Sequence, residues 1–238
     1  MPGKGIIPCN ISYGILVNGY FKKTKINEAM HLFREMPLKG LEPDIVTYTT
    51  VLQGLFRLHK CSTALQIFDE MLAAGHKLGF HTYCIMLDGL CGNGLLERAL
   101  SLLDEIEKKG LHLHIHYYTI VIDGLCKAQK LDTARALFAD LPSKGLEPDR
   151  SCFPDGATYN IIFRGILKSG ELDEAAKLLD IMVGRGFSPD GSTASLSATI
   201  SKEKMKCLNQ DSMDLTIRLD HNMILFAFTG AEYEYQLT

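Results

Sequence analysis

Residues 47–55 read Thr-Tyr-Thr-Thr-Val-Leu-Gln-Gly-Leu, and variants of this phrase recur along the chain at a nearly constant interval. Its tyrosine returns after 35, 35, 35 and 41 residues, at Tyr13, Tyr48, Tyr83, Tyr118 and Tyr159. A fixed period of a few tens of residues is typical of stacked supersecondary units, each of which buries its apolar face against its neighbours. The period therefore predicts a solenoid whose function lies along a surface and not in a pocket.

Three small residues keep a constant distance from each tyrosine. They are a first glycine (Gly19, Gly54, Gly89, Gly124, Gly165), an alanine (Ala29, Ala64, Ala99, Ala134, Ala175) and a second glycine (Gly40, Gly75, Gly110, Gly145, Gly186). We expect the first glycine and the alanine to let the two helices of a unit approach closely. The second glycine is placed to end a helix in the left-handed conformation that glycine adopts at little cost.

Each unit has the apolar pattern of a helical hairpin. Within 45–79, apolar residues recur at three and four residues in both halves, and a polar break at 57–63 separates the halves. In three units a Pro-Asp pair follows the second glycine, where proline stops the helix and aspartate serves as a turn or cap residue (Pro43-Asp44, Pro148-Asp149, Pro189-Asp190). The sequence predicts an all-α, right-handed superhelical solenoid of stacked 35-residue hairpins.

The repeat pattern also predicts the domain organisation. Four complete units occupy 10–149 and a fifth occupies 156–190, while 1–9 is a remnant of a preceding unit. Residues 150–155 resemble the end of a deleted unit, and we expect a loop there that disturbs the stacking of the fourth and fifth units. Residues 191–238 are interpreted as a degenerate half-repeat and an irregular tail. The chain is accordingly interpreted as a truncated product.

Composition and motifs exclude several classes of function. Seven cysteines occur without C-x-x-C spacing, as expected of small buried side chains in a reducing compartment. The sequence shows no apolar run of membrane-helix length, no secretory or transit segment and no catalytic motif or phosphate loop. His112, His114 and His116 form the most metal-like string, but no cysteine or carboxylate adjoins them. We therefore expect neither an enzyme nor a metal or other cofactor.

Residues 118–127, Tyr-Thr-Ile-Val-Ile-Asp-Gly-Leu-Cys-Lys, carry a resemblance to a known family. The 35-residue unit resembles the pentatricopeptide repeat of plant organelle proteins over residues 5–190, and the wording is similar to the pure-repeat P class close to fertility-restorer-like proteins. The resemblance implies sequence-directed binding of single-stranded RNA in the mitochondrion, or alternatively the chloroplast, in support of transcript stability, processing or translation control. It implies no membrane and no small-molecule substrate. The alternatives are a protein-binding helical scaffold and a degenerate, inactive fragment.

The resemblance also implies the residues that contact RNA, with one base read by each repeat. The base-reading pairs are Gly14 with Asp44, Thr49 with Gly79, Cys84 with His114, Thr119 with Asp149, and Asn160 with Asp190. The base-stacking positions hold Ile11, Val46, His81, His116 and Ala157. Family behaviour implies guanine for Thr119 with Asp149 and uracil for Asn160 with Asp190. Whether Asp149 or Asp155 lies beside the base at Asn160 is left open by the deletion.

A cation recurs at the end of the first helix of four units. The row consists of Lys22, Arg57, Lys127 and Lys168, and Gly92 interrupts it in the third unit. Cations repeated every 35 residues form a positive track that suits phosphate groups despite the net charge of −3. The alternative is that these are solvated helix ends, where Lys and Arg are favoured by the helix dipole.

Overall fold

A computed structural model of the 238-residue chain describes residues 9–110, 113–146, 155–196 and 198. All regular structure in these ranges is helical. The helices divide into two compact groups, which we call the first unit and the second unit, one up to Lys109 and one from Gly110 onward. Each 35-residue repeat of the sequence is called a hairpin from here on. The predicted all-α architecture is confirmed.

The first unit contains three helical hairpins. They are α1 (Asn10–Lys22) with α2 (Ile26–Leu38), α3 (Ile45–Arg57) with α4 (Cys61–Ala73), and α5 (Phe80–Gly92) with α6 (Leu96–Lys108). The two helices of each hairpin pack together, and the first helices also pack in order, α1 on α3 and α3 on α5. The predicted stacking of hairpins is therefore confirmed within this unit.

The second unit contains the fourth and fifth hairpins. They are α7 (Ile115–Lys127) with α8 (Leu131–Asp140) and a short 3-10 helix (Pro142–Lys144), then α9 (Asp155–Ser169) with α10 (Leu172–Gly184). Further helical residues lie at 191–196, where the sequence predicts the start of a half-repeat. Here α7 packs on α8, α9 on α10 and α7 on α9.

The expected disturbance of stacking at the junction is not found. Although 150–154 lie outside the described residues, α9 begins at Asp155 and packs on α7. The hydroxyl oxygens of Thr119 and Thr158 are 2.7 Å apart, and the rings of Phe138 and Tyr159 meet edge to face with centroids 5.0 Å apart. Among the described residues these contacts join the helices themselves, so the fifth hairpin stacks on the fourth through α7 and α9.

The first glycine has a different role from the one expected. A Cβ placed on Gly54 would lie 2.4 Å from Cγ of Phe21, and one on Gly89 would lie 2.3 Å from Cγ of Phe56. These phenylalanines belong to the first helix of the preceding hairpin and not to the second helix of the same hairpin. The glycine therefore makes room for the neighbouring hairpin, and at Gly19 nothing lies within 4 Å. The expectation of a close approach inside the hairpin is wrong at these positions.

The repeated alanines and second glycines behave as expected. All five alanines are fully buried, and the second glycines have φ between +62° and +81°. The turn between the two helices of each hairpin contains another left-handed residue, which the repeat pattern does not predict. From the first hairpin to the fifth, this residue is Thr24, His59, Gly94, Gln129 and Gly170. The backbone of this turn thus repeats although its residues do not.

Candidate nucleic-acid interface

Four positions of each first helix lie on one helical face, because they are separated by three, four and four residues. They are the stacking position, the first base-reading position, an intermediate position and the position of the cation row. We call them the first-helix stripe: Ile11, Gly14, Asn18 and Lys22 in α1; Val46, Thr49, Gln53 and Arg57 in α3; His81, Cys84, Asp88 and Gly92 in α5; His116, Thr119, Asp123 and Lys127 in α7; Ala157, Asn160, Arg164 and Lys168 in α9.

Two grooves follow the stripe in the first unit. One, of about 280 Å³, is lined by Ile11, Gly14, Asn18, Asp44 and Val46 among others. The other, of about 600 Å³, is lined by residues that include Asn18, Lys22, Gln53 and Arg57. Because Asn18 borders both grooves, the stacking, reading and cation positions of the first hairpin lie along one continuous surface.

The stacking positions are all exposed. Ile11 and Val46, the two large aliphatic residues among them, are 73% and 69% exposed. Burial of such side chains against an apolar surface is favourable, and the flat face of a base supplies that surface. At the stacking position of the other hairpins, His81 and His116 are more polar and Ala157 is smaller, so each offers less apolar surface.

Three reading pairs contain a weak hydrogen-bonding partner. Gly14 and Gly79 have no side chain. Burial, and to a lesser extent the charge of nearby Asp88, raises the pKa of the Cys84 thiol to about 11, so the thiol stays protonated and is a weak donor. The Thr49 hydroxyl donates to the carbonyl oxygens of Ile45 and Val46 at 2.9 and 3.0 Å. These three pairs therefore have few hydrogen-bonding groups with which to distinguish one base from another.

Asp44 has a structural role as the N-cap of α3. Its Oδ1 accepts hydrogen bonds from Thr47 N at 2.7 Å and from Thr47 Oγ1 at 2.8 Å. This confirms that an aspartate of the Pro-Asp pairs caps the following helix. In the fourth hairpin, His114 packs edge to face on Tyr117, and Asp149 lies outside the described residues.

Thr119 is nearly buried. Its hydroxyl donates to the carbonyl oxygen of Ile115 at 3.0 Å and lies 2.7 Å from the Thr158 hydroxyl. A hydroxyl oxygen has two lone pairs. Thr119 therefore contributes to the packing of α7 on α9, and its reading role stays a prediction.

The fifth hairpin brings its two predicted readers into contact. Asn160 Oδ1 accepts a hydrogen bond from Asp190 N at 2.8 Å, and Asn160 Nδ2 donates to the carbonyl oxygens of Gly156 at 2.7 Å and Ser188 at 3.3 Å. The sequence predicts convergence of these positions from resemblance alone. In this hairpin the geometry matches that prediction.

The Asp190 carboxylate is held by several donors. Oδ1 accepts from Thr193 N and from Ser192 Oγ, each at 2.7 Å, and Oδ2 lies 3.0 Å from Arg164 Nη1. Burial raises the pKa of Asp190, but the hydrogen bonds from Thr193 and Ser192 and the charge of Arg164 outweigh it and bring the pKa down to about 2. Asp190 is therefore ionised at neutral pH. Arg164 was not singled out from the sequence, although its neutral or acidic counterparts (Asn18, Gln53, Asp88, Asp123) mark it as unusual.

The cations of the row are exposed, and two of them line each of two grooves. Lys22 and Arg57 line the groove of about 600 Å³, and Lys127 and Lys168 line one of about 550 Å³ in the second unit. Lys127 Nζ forms an ion pair with Asp123 Oδ2 at 2.5 Å. Within the described ranges, the other three cations make no ion pair. The row thus contains one locally neutralised member.

The same groove of the second unit is bordered by Cys126, whose thiol has a pKa raised by burial to about 11. A protonated thiol is neither a nucleophile nor a metal ligand. Within the part of the chain that the structure describes, no group of three histidine, cysteine or acidic side chains is arranged to hold a metal, and His112 lies outside it. No helix in these ranges has both the length and the apolarity for crossing a membrane.

Models of known families match most of the chain. The model described as the PPR repeat family matches residues 8–57, 43–92, 86–127 and 154–196, and that described as the PPR repeat matches 117–146. No match is found among curated protein sequences.

Solved structures share the fold. The pentatricopeptide repeat protein PPR10 from maize matches with a TM-score of 0.69 and 20% identity over 90% of this chain and 31% of its own. PPR10 in complex with an 18-nt psaJ RNA element matches with the same score and identity. The PPR domain of Arabidopsis thaliana protein-only RNase P 1 in complex with tRNA matches with a TM-score of 0.57 and 16% identity over 78% of this chain and 95% of that domain. The chain thus spans about a third of the length of PPR10.

Proposed function

Because this chain belongs to the pentatricopeptide repeat family, we propose that it binds single-stranded RNA along the first-helix stripe in a sequence-directed manner. The observation that carries the proposal is the continuous surface of the first unit, where Asn18 joins the groove of the stacking and reading positions to the groove of the cations. Single-stranded nucleic acid needs these two elements together, a stacking platform for bases and a cationic track for phosphates. The complexes of PPR10 and of the RNase P 1 domain with RNA support it.

The proposed roles follow the order of the stripe. Ile11, Val46, His81, His116 and Ala157 stack on bases, and the ten reading residues contact base edges. Lys22, Arg57, Lys127 and Lys168 neutralise phosphates. Asn160 with Asp190 selects uracil and Thr119 with Asp149 selects guanine, while the other three pairs add affinity and little selectivity.

We propose further that the chain belongs to the pure-repeat P class, close to fertility-restorer-like proteins. We propose that it acts in the mitochondrion, with the chloroplast as the alternative, by binding a transcript and so supporting its stability, processing or translation control. In this proposal the chain binds RNA and does not cleave it.

The test is selection from randomised RNA followed by titration at several salt concentrations. If four cations each neutralise one phosphate, log K falls with log salt at a slope of roughly −3, since each contact contributes about −0.7 on single strands. Lys168→Gln should flatten the slope by about 0.7. Lys127→Gln should flatten it less, because the Lys127 ammonium already lies on Asp123.

Base reading has a separate signature. Asn160→Thr should move the preference at one nucleotide position from uracil toward guanine and leave the salt slope unchanged, because phosphate contacts position the RNA and base contacts specify it. Absence of RNA enrichment by the unmodified chain at low salt would refute RNA binding and favour a protein-binding scaffold or an inactive fragment. An equal loss of affinity for all sequences in the Asn160→Thr variant would refute base reading alone.

A further inference from the structure

Arg164 occupies a place on the first-helix stripe that no other hairpin fills with a cation. It lies one turn beyond Asn160 and one turn before Lys168 in α9. The equivalent residues are Asn18, Gln53, Asp88 and Asp123, which are neutral or acidic. The fifth hairpin therefore has an additional positive charge beside its base-reading pair.

The guanidinium of Arg164 is anchored on the reader Asp190. Nη1 lies 3.0 Å from Asp190 Oδ2, 2.8 Å from Ser192 Oγ and 3.3 Å from Thr193 Oγ1. The side chain is 28% exposed. Within the described residues these contacts all run through Nη1, whereas a guanidinium has five N–H donors in a fixed planar arrangement. Because the guanidinium is planar and rigid, the contacts of Nη1 also fix the orientation of Nη2 and Nε.

This anchoring changes what the reading pair presents to a base. Both carboxylate oxygens of Asp190 already accept hydrogen bonds from protein donors, and the Asn160 amide is bonded to the backbone on both its oxygen and its nitrogen. The group added next to them is a donor. A donor suits the O4 carbonyl of uracil, whereas cytosine has an amino group at the same place on its ring.

We propose that Arg164 is a further specificity-determining residue of the fifth hairpin, where its guanidinium donates a hydrogen bond to the O4 carbonyl of uracil and disfavours the amino group of cytosine. The inference rests on the proposed binding of single-stranded RNA. It adds Arg164 to Asn160 and Asp190, which select uracil in the proposed function, and Arg164 strengthens the choice of uracil over cytosine. Two facing donors leave both groups without an acceptor, and such a mismatch is more costly than the mere loss of a contact.

The experiment uses the full chain and short RNAs that carry uracil or cytosine at one position at a time. The position read by the fifth hairpin is the one whose preference changes with Asn160→Thr. At that position, Arg164→Gln should lower the ratio of affinities for uracil and cytosine roughly tenfold and leave the other positions unchanged. Arg164→Lys keeps the charge and a donor for Asp190 but lacks the planar fork, so it should also lower the ratio while the salt slope stays constant.

Arg57→Gln is the matched control, because Arg57 is a cation of the row that is not next to Asp190. It should weaken binding to uracil and cytosine RNAs equally and flatten the salt slope. The same behaviour in Arg164→Gln would overturn the proposal and make Arg164 a phosphate contact. A lower melting temperature with an unchanged uracil-to-cytosine ratio would overturn it in favour of a clamp between α9 and residues 191–196. If the unmodified chain bound no RNA, both this inference and the proposed function would fail, whereas an unchanged ratio with intact binding would refute the inference alone.

Discussion

The two faces of the first helices differ in how closely their residues repeat. On the buried face, a tyrosine is at most 8% exposed in every hairpin, and small residues recur where a neighbouring hairpin packs. On the first-helix stripe, the first reading position holds glycine, threonine, cysteine, threonine and asparagine in succession. The hairpins share one packing problem, whereas the residues on their stripes differ from hairpin to hairpin.

This difference explains why a hairpin with weak reading residues still stacks on its neighbour. The third hairpin has a thiol and a glycine at stripe positions, yet α5 packs on α3 and places Gly89 against Phe56. Folding energy comes from the buried face because it removes apolar surface from water. The stripe can therefore change without loss of the fold, and substitutions on the two faces should separate stability from RNA binding.

The largest effect is expected from a charge on the buried face. Leu125 is fully buried in α7, and Leu125→Asp places a carboxylate where water cannot solvate it. The free energy of unfolding should fall by about 3–5 kcal/mol. Leu38→Asp is the control, since Leu38 is 86% exposed, and it should change stability by no more than about 0.5 kcal/mol. Urea unfolding followed by circular dichroism measures both, and an equal response would mean that the helix faces are assigned wrongly.

A smaller effect is expected where one glycine meets the next hairpin. Gly54→Ala drives a methyl group into the ring of Phe21, and this overpacking should cost about 1–3 kcal/mol. Gly19→Ala places the same methyl group in open space and should stabilise α1 by about 0.5–1 kcal/mol, because alanine is the better helix former. The two melting temperatures should therefore move in opposite directions. Movement in the same direction would contradict the packing of first helix on first helix.

The turn inside each hairpin tests whether backbone conformation is constrained where residue identity is not. Thr24 has φ of 58°, a conformation that is strained for a β-branched residue, and the same place in the third hairpin is Gly94. Thr24→Gly should raise the free energy of unfolding by about 1 kcal/mol, and Gly94→Thr should lower it by about the same amount. Thermal unfolding of the two variants is sufficient. No change in either one would show that the left-handed turn costs nothing to form.

Much of the fold could be predicted from the sequence because its determinants are local and periodic. Helix faces follow from spacings of three and four residues, and helix ends follow from Gly75 and Asp44, whose left-handed φ and capping bond the structure confirms. The partner of each first glycine could not be predicted in this way. Periodicity shows which face is buried but not which neighbour covers it, so it predicts no role for Phe21 or Phe56.

The candidate site was predictable in outline and not in its charge pairing. The positions of the stripe follow from resemblance and helical spacing. The ion pair of Lys127 with Asp123 has a sequence signal, since the two are four residues apart on one helix. The contact between Arg164 and Asp190 has no sequence signal, because the two residues are 26 apart and are brought together only when α10 packs back on α9. Both pairs alter the charge that the stripe presents.

Asp190 gives the smallest effect and shows that one of the predicted reading residues also serves folding. Its pKa of about 2 lies below the usual value for aspartate, so its ionised form stabilises the native state above about pH 4, and this contribution is lost as the pH falls through 2. The side chain is 46% exposed, and solvent screening limits the effect to less than about 1 kcal/mol. Asp190→Asn should therefore destabilise the chain at pH 7 by that amount, and the difference from the unmodified chain should shrink between pH 4 and pH 2. Asp180→Asn, which removes an exposed carboxylate from α10, should have no comparable effect. A difference for Asp190→Asn that stays constant down to pH 2 would mean that the hydrogen bonds of its carboxylate, and not its charge, are what the variant loses.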